Sequence, residues 1–167
     1  MRKLTITLSI LFIAAAALAQ EAKKPLSPPA KAEATIGGKK VTIDYSAPSK
    51  RDRKIMGGLV PYGQVWRTGA NAATTLTTET GLMIGDLHVP AGKYTLYSLP
   101  GEKEWTLIVN KQTGQWGTEY NEKQDLGRVT MKVAPVKDTV ETFVIGLDKN
   151  LSLTWENTRA WVPIKAH

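Results

Sequence analysis

The chain has 167 residues, 22 basic and 15 acidic side chains, a formal charge of +7 and no cysteine. The missing cysteine excludes disulfides, thiol catalysis and Cys-ligated metal. Two histidines exclude a multi-histidine metal site, so neither a metal nor a cofactor is expected.

Arg2 and Lys3 precede an uncharged apolar run from Leu4 to Leu18, and Ala17-Leu-Ala19 offers the small-x-small pattern that signal peptidase cuts. Residues 1–19 are therefore expected to be a signal peptide. The run falls short of the roughly 20 apolar residues of a membrane span, so no transmembrane segment is expected after cleavage. Cleavage after Ala19 leaves 148 residues with 20 basic and 15 acidic side chains, destined for the periplasm or the exterior. One domain of that size buries roughly 68–70% of its unfolded surface, which serves an exported fold without disulfides.

Residues 20–31, with Pro25, Pro28 and Pro29 among lysines, read as a flexible tether before a single domain at 32–165. From there alternation with period two recurs. A strand near Ala32 to Ile36 and the run Lys40 to Tyr45 flank Gly37-Gly38, a hairpin signal. The Thr-rich stretch Ala73 to Glu79 has the β-branched composition of a strand. Leu82 to Ile84 and Leu87 to Val89 flank a Gly85-Asp86 turn, and Lys93 to Leu99 pairs with Glu104 to Asn110 through Pro100-Gly101. Later alternating runs centre on Met131, Ile145 and Leu153, with a last one from Ala160 to Ile164. Eight to ten short strands and no long helical period predict an all-β fold. The expected form is an antiparallel two-sheet sandwich, jelly-roll-like or immunoglobulin-like, with at most a short helix near 119–126. A closed barrel is the alternative.

Two connections exceed what hairpins need, Ser46 to Ala72 and Lys111 to Gly127. Long connections in compact domains are where function concentrates. The first holds Trp66, Arg67 and Asn71, and the second holds Trp116 and Tyr120. Arg67 offers a planar fork of donors to a carboxylate, sulfate or sugar diol, and Asn71 both donates and accepts. Trp116 and Tyr120 supply flat apolar area with a polar tip. These four are the candidate ligand-binding residues. Alternation turns Trp66 inward as a core aromatic and Arg67 the other way, with Asp44 as a possible ion-pair partner for Arg67.

Catalytic constellations are scarce. His88 alternates with Leu87 and Val89, which points it at solvent, and no serine lies in a Gly-x-Ser-x-Gly turn. Glu119 with Glu122, and Glu102 with Glu104, read as exposed loop charges, although a glycosidase-like pair is conceivable. The cluster Lys50-Arg-Asp-Arg-Lys54 contains no aromatic and reads as a solvated loop rather than a nucleic-acid surface.

Several stretches resemble a family of exported bacterial proteins catalogued as a domain of unknown function. They are Thr35-Ile-Gly-Gly, Val41-Thr-Ile-Asp-Tyr-Ser, Gly57-Gly-Leu-Val-Pro-Tyr-Gly, Val65-Trp-Arg-Thr-Gly-Ala-Asn71, Val89-Pro-Ala-Gly-Lys-Tyr-Thr, Trp105-Thr-Leu-Ile-Val-Asn110, Gly114-Gln-Trp-Gly117 and Leu153-Thr-Trp-Glu-Asn157. The resemblance runs from about Ser27 to Ile164 and implies an exported single domain, without assigning an activity. The expected function is a binding or interaction module for a cell-envelope, glycan or protein ligand. The alternatives are a carbohydrate- or cell-wall-active hydrolase or isomerase using carboxylates such as Glu119 or Asp44, and a structural envelope protein with no small-molecule site.

Overall fold

The computed structural model describes residues 25–167. The expected signal peptide and the first part of the tether lie outside the described residues. Among the described residues nine strands form: β1 (Pro29–Ile36), β2 (Lys39–Ser46), β3 (Thr75–Thr78), β4 (Leu82–Ile84), β5 (Leu87–Val89), β6 (Gly92–Leu99), β7 (Glu104–Asn110), β8 (Asp125–Leu147) and β9 (Asn150–Ala166). A single 3-10 turn at Glu122–Gln124 takes the place of the short helix expected near 119–126. Strand β1 begins inside the expected tether, because Pro29, Ala30 and Lys31 pair with Ser46, Tyr45 and Asp44 of β2.

All pairings between these strands are antiparallel, and the strands join in one nine-stranded sheet of order β1-β2-β3-β6-β7-β8-β9-β4-β5. The expected all-β antiparallel class is therefore found, but the hydrogen bonding links the strands in one sheet instead of two. The reason lies in β8 and β9. The sequence divides them into four short alternating runs, whereas each continues through its irregularities as one long strand. Their ladder shifts register between Pro135 and Val140 and again between Val140 and Val144, and such bulges bend strands without ending them.

The sheet folds over on itself and encloses its apolar side. Ser49 of the β2–β3 connection bridges Thr142 of β8, and the Tyr45 hydroxyl accepts from Ile145 N–H at 3.1 Å. At the other end, the β1–β2 turn lies against β9. A Cβ on Gly37 would come within 2.6 Å of the Ala166 Cβ, and Gly37 also holds a φ of 59°, so the turn requires glycine twice over. Between these contacts lies one continuous core that includes Val41, Ile43, Leu76, Leu96, Trp105, Leu107, Phe143, Leu153 and Trp155.

Strands β6 and β7 are buried on both faces, since Tyr97 and Ile108 are as inaccessible as Leu96 and Leu107. The β7–β8 connection covers their far side. Thr95 Oγ1 donates to Gln112 O at 2.7 Å, Tyr97 Oη to Glu119 O at 3.1 Å and Asn110 Nδ2 to Asn121 O at 2.9 Å. The irregular segment satisfies buried hydroxyl and amide groups that would otherwise lack partners. Among the described residues no helix is long and apolar enough to cross a membrane.

Candidate functional site

Trp66 enters the fold through a pair of backbone bonds to β6, with Trp66 N–H donating to Ser98 O at 2.7 Å and Ser98 N–H to Trp66 O at 3.0 Å. This pins the middle of the β2–β3 connection to the sheet. The indole ring then meets Phe143 at 5.0 Å, Trp155 at 5.9 Å and Trp105 at 6.2 Å between centroids, edge-on to the first and last and stacked on Trp155. Edge-to-face and stacked pairs add attraction beyond area burial, so the aromatic cluster fixes where the following residues can go. Below it, the buried Thr68 hydroxyl donates to Ser98 Oγ at 2.9 Å, and Thr74 Oγ1 donates to Thr68 O at 2.8 Å.

The Arg67 stem lies across Gly117 of the β7–β8 connection. Its guanidinium makes no ion pair or side-chain hydrogen bond with any described residue, although the side chain is half-buried. Asp44, expected as its possible partner, is engaged elsewhere. It pairs with Lys31 across the β1–β2 ladder at 3.2 Å and borders a different concavity with Ala72 and Thr75. The registers of β1 and β2 place Lys31 directly opposite Asp44, which is the physical reason for that choice.

The two long connections meet at Arg67. Gly117 N–H donates to Asn71 O at 3.0 Å, Ala73 N–H donates to Gln115 O at 3.3 Å, and Ala72 bridges Trp116. A Cβ on Gly117 would lie 2.7 Å from both Arg67 Cδ and Asn71 O, so the arginine stem lies directly across this glycine. Two concavities flank the junction, and Trp66 and Arg67 line both. One, of about 310 Å³, takes in Arg51, Arg53, Leu59, Asn71 and Trp155. The other, of about 220 Å³, takes in Val65, Tyr97, Gly117 and Tyr120. Among the described residues no Asp or Glu lines either one.

The four candidate residues thus share a neighbourhood but not a single pocket. Arg67 and Asn71 face the first concavity, and Arg67 and Tyr120 face the second. Trp116 lines neither and is 51% exposed beside Ala72. Tyr120 is held by charged groups. Its hydroxyl donates to Asp125 Oδ2 at 2.7 Å and accepts from Arg128 Nη2 at 2.9 Å, while Arg128 also binds Glu122 at 2.7 Å. Burial, and then Asp125, which accepts its proton and repels the phenolate, push the Tyr120 pKa up to about 12. Burial also raises the phenol of Tyr97, whose ring meets that of Tyr120 edge-on at 4.8 Å.

Two further lining residues are Arg51 and Arg53, whose cluster Lys50–Lys54 reads in the sequence as a solvated loop. Nothing local signals that this turn folds back onto the wall beside Arg67. Arg53 Nη2 and Nε donate to Ser49 O at 2.7 Å and Lys50 O at 3.0 Å, which anchors the turn. His88 lies apart from the junction, exposed, with its ring 4.1 Å from that of His167. Among the described residues no group of three metal-ligating side chains forms.

No curated protein and no solved structure matches the chain. The family model described as protein of unknown function (DUF2911) matches residues 27–164, nearly the whole of the described fold, and the chain belongs to that family.

Proposed function

We propose that the protein is an exported binding module that holds a cell-envelope, glycan or protein ligand at the junction of its two long connections. The observation that carries this reading is Arg67. A half-buried arginine, shared by two adjacent concavities and unpaired with any described residue, retains its donor capacity for something outside the fold. Binding is favoured over carboxylate-based hydrolysis because, among the described residues, neither concavity has an Asp or Glu on its wall to serve as acid, base or nucleophile.

The test is thermal denaturation of the wild type and of Arg67→Met against a panel of soluble cell-wall fragments and glycans. A ligand of the wild type raises the midpoint saturably, following RT ln(1 + [L]/Kd), and leaves the variant unmoved. Equal shifts in both proteins would remove Arg67 from the binding site. Export is part of the same reading, supported by the charged start, apolar run and Ala17-Leu-Ala19 pattern. It predicts that protein recovered from the periplasm or medium begins at Gln20. An intact Met1 in that fraction would contradict it.

A further inference from the structure

The chemical class of ligand can be read from which wall groups of the larger concavity already have partners. Arg67 has none among the described residues. Among the described residues Arg51 is engaged through its backbone alone, where its N–H donates to Glu141 Oε1 at 2.8 Å. Arg53 is held by the carbonyls of Ser49 and Lys50, which are neutral, and it makes no ion pair among the described residues. The carboxylates that the fold brings to these segments are turned to backbone amides. Besides Glu141, Glu156 accepts from Ile55 N–H at 3.2 Å and from Met56 N–H at 3.1 Å. Three arginines therefore line one concavity whose walls, among the described residues, hold no carboxylate. A cleft lined by one sign of charge concentrates the opposite sign.

Apart from Ser27 and Asn71, the rest of the wall is apolar. Trp66 and Trp155 form part of it, and Leu59 and Leu26 line it while remaining 49% and 68% exposed. Exposed leucines beside a charged cleft suit a ligand that has an apolar body as well as a charge.

Backbone strain is gathered around the same concavity. Among the described residues, the non-glycine positions with positive φ are Arg51, Asp52, Thr68, Asn71 and Glu156. The first four belong to the turn and the segment that form its wall, and Glu156 follows Trp155. Arg51 and Asp52 occupy the centre of a tight turn closed by Arg53 N–H donating to Lys50 O at 3.1 Å. With both central residues left-handed, that turn ordinarily carries Asn-Gly. Strain of this kind persists where the surroundings over-determine it, and it gathers at ligand sites.

We infer that the larger concavity binds an amphipathic oxyanion: a phosphate or carboxylate group received by Arg67 and Arg51, joined to an apolar chain or ring that lies against Leu59, Leu26 and Trp66. The inference rests on the junction being a binding site and names the chemistry of its ligand. Guanidinium forks meet both oxyanions through paired N–H donors, which gives orientation as well as affinity.

The test is calorimetric titration of the wild type, Arg67→Met and Leu59→Ser with four probes: hexyl phosphate, inorganic phosphate, hexanol and a mixture of soluble cell-wall glycopeptides. Hexyl phosphate is expected to bind the wild type at least about tenfold more tightly than inorganic phosphate or hexanol. Arg67→Met should lose at least about tenfold of that affinity, and Leu59→Ser should weaken hexyl phosphate while leaving inorganic phosphate unchanged. Sedimentation with phosphatidylglycerol vesicles separates the two sources of such a ligand. Arg67-dependent co-sedimentation supports a lipid headgroup, and hexyl phosphate binding without it supports a soluble anion.

Hexanol or inorganic phosphate binding as tightly as hexyl phosphate would overturn the inference, as would full affinity in Arg67→Met. Glycopeptide binding that depends on Arg67, with no binding of hexyl phosphate, would overturn the ligand class and leave the binding site standing. Binding of none of the probes would overturn both.

Discussion

At Gly117 the backbone of one long connection passes so close to the other that a single methyl group decides whether they meet. Alanine there would place its Cβ 2.7 Å from Arg67 Cδ and 2.7 Å from Asn71 O. The arginine stem can rotate away, but Asn71 O cannot, because it accepts the Gly117 N–H. Gly117→Ala is therefore expected to destabilise the fold by about 1–3 kcal/mol, as overpacking does, and to displace Arg67. Urea denaturation checks the first effect, and the loss of any ligand-induced shift checks the second. Asp44 gives the contrasting case. Its pair with Lys31 is about half exposed on both sides, so Asp44→Asn should change stability by less than about 1 kcal/mol and leave binding at Arg67 intact. Alternation in the sequence assigns Trp66 and Arg67 different surroundings, and in the fold Trp66 packs against the core while the stem of Arg67 lies across Gly117. That Arg67 lacks a counter-ion among the described residues was not legible in the sequence, since it depends on the register that gives Asp44 to Lys31.

The β7–β8 connection is organised by Tyr120, Asp125 and Arg128, and its protonation is testable. The folded pKa of Tyr120 is raised from 10.0 to about 12, so folding favours the neutral phenol. The stability this contributes is fully present below pH 10, the unfolded value, and is lost as pH rises through about 12. An alkaline titration followed by tyrosine absorbance should show a late-ionising group that disappears in Tyr120→Phe. The same variant should cost about 1 kcal/mol at neutral pH, the net worth of one ordinary hydrogen bond. The hairpins were the most readable elements: β4 with β5 and β6 with β7 lie where turn residues and alternation placed them. The long strands were not, because bulges at Val140 and beyond interrupt the alternation without interrupting the strand. The basic turn at Lys50–Lys54 was invisible as part of the site for a related reason. Its composition is that of any solvated loop, and only tertiary contact with β8 through Ser49 and Thr142 turns it toward Arg67.

Over the whole molecule, one sheet wraps an aromatic core that also forms the inner wall of the larger concavity. Trp155 belongs to both, since it is fully buried, stacks on Trp66, donates from Nε1 to Glu141 O at 3.1 Å and borders the cleft. Trp155→Ala is expected to cost about 3–5 kcal/mol, the range for large aromatics removed from a core, measured by urea denaturation. Arg67 is the opposite kind of residue, positioned by that core and contributing little to it. The direct measurement is the unfolding free energy of Arg67→Met, a variant that keeps an apolar stem against Gly117 and removes the charge. An arginine held for a ligand predicts a value within about 0.5 kcal/mol of the wild type, or above it, since repulsion with Arg51 and Arg53 is relieved. A loss of about 2 kcal/mol or more would show that the fold itself holds the guanidinium and would contradict its assignment to a ligand.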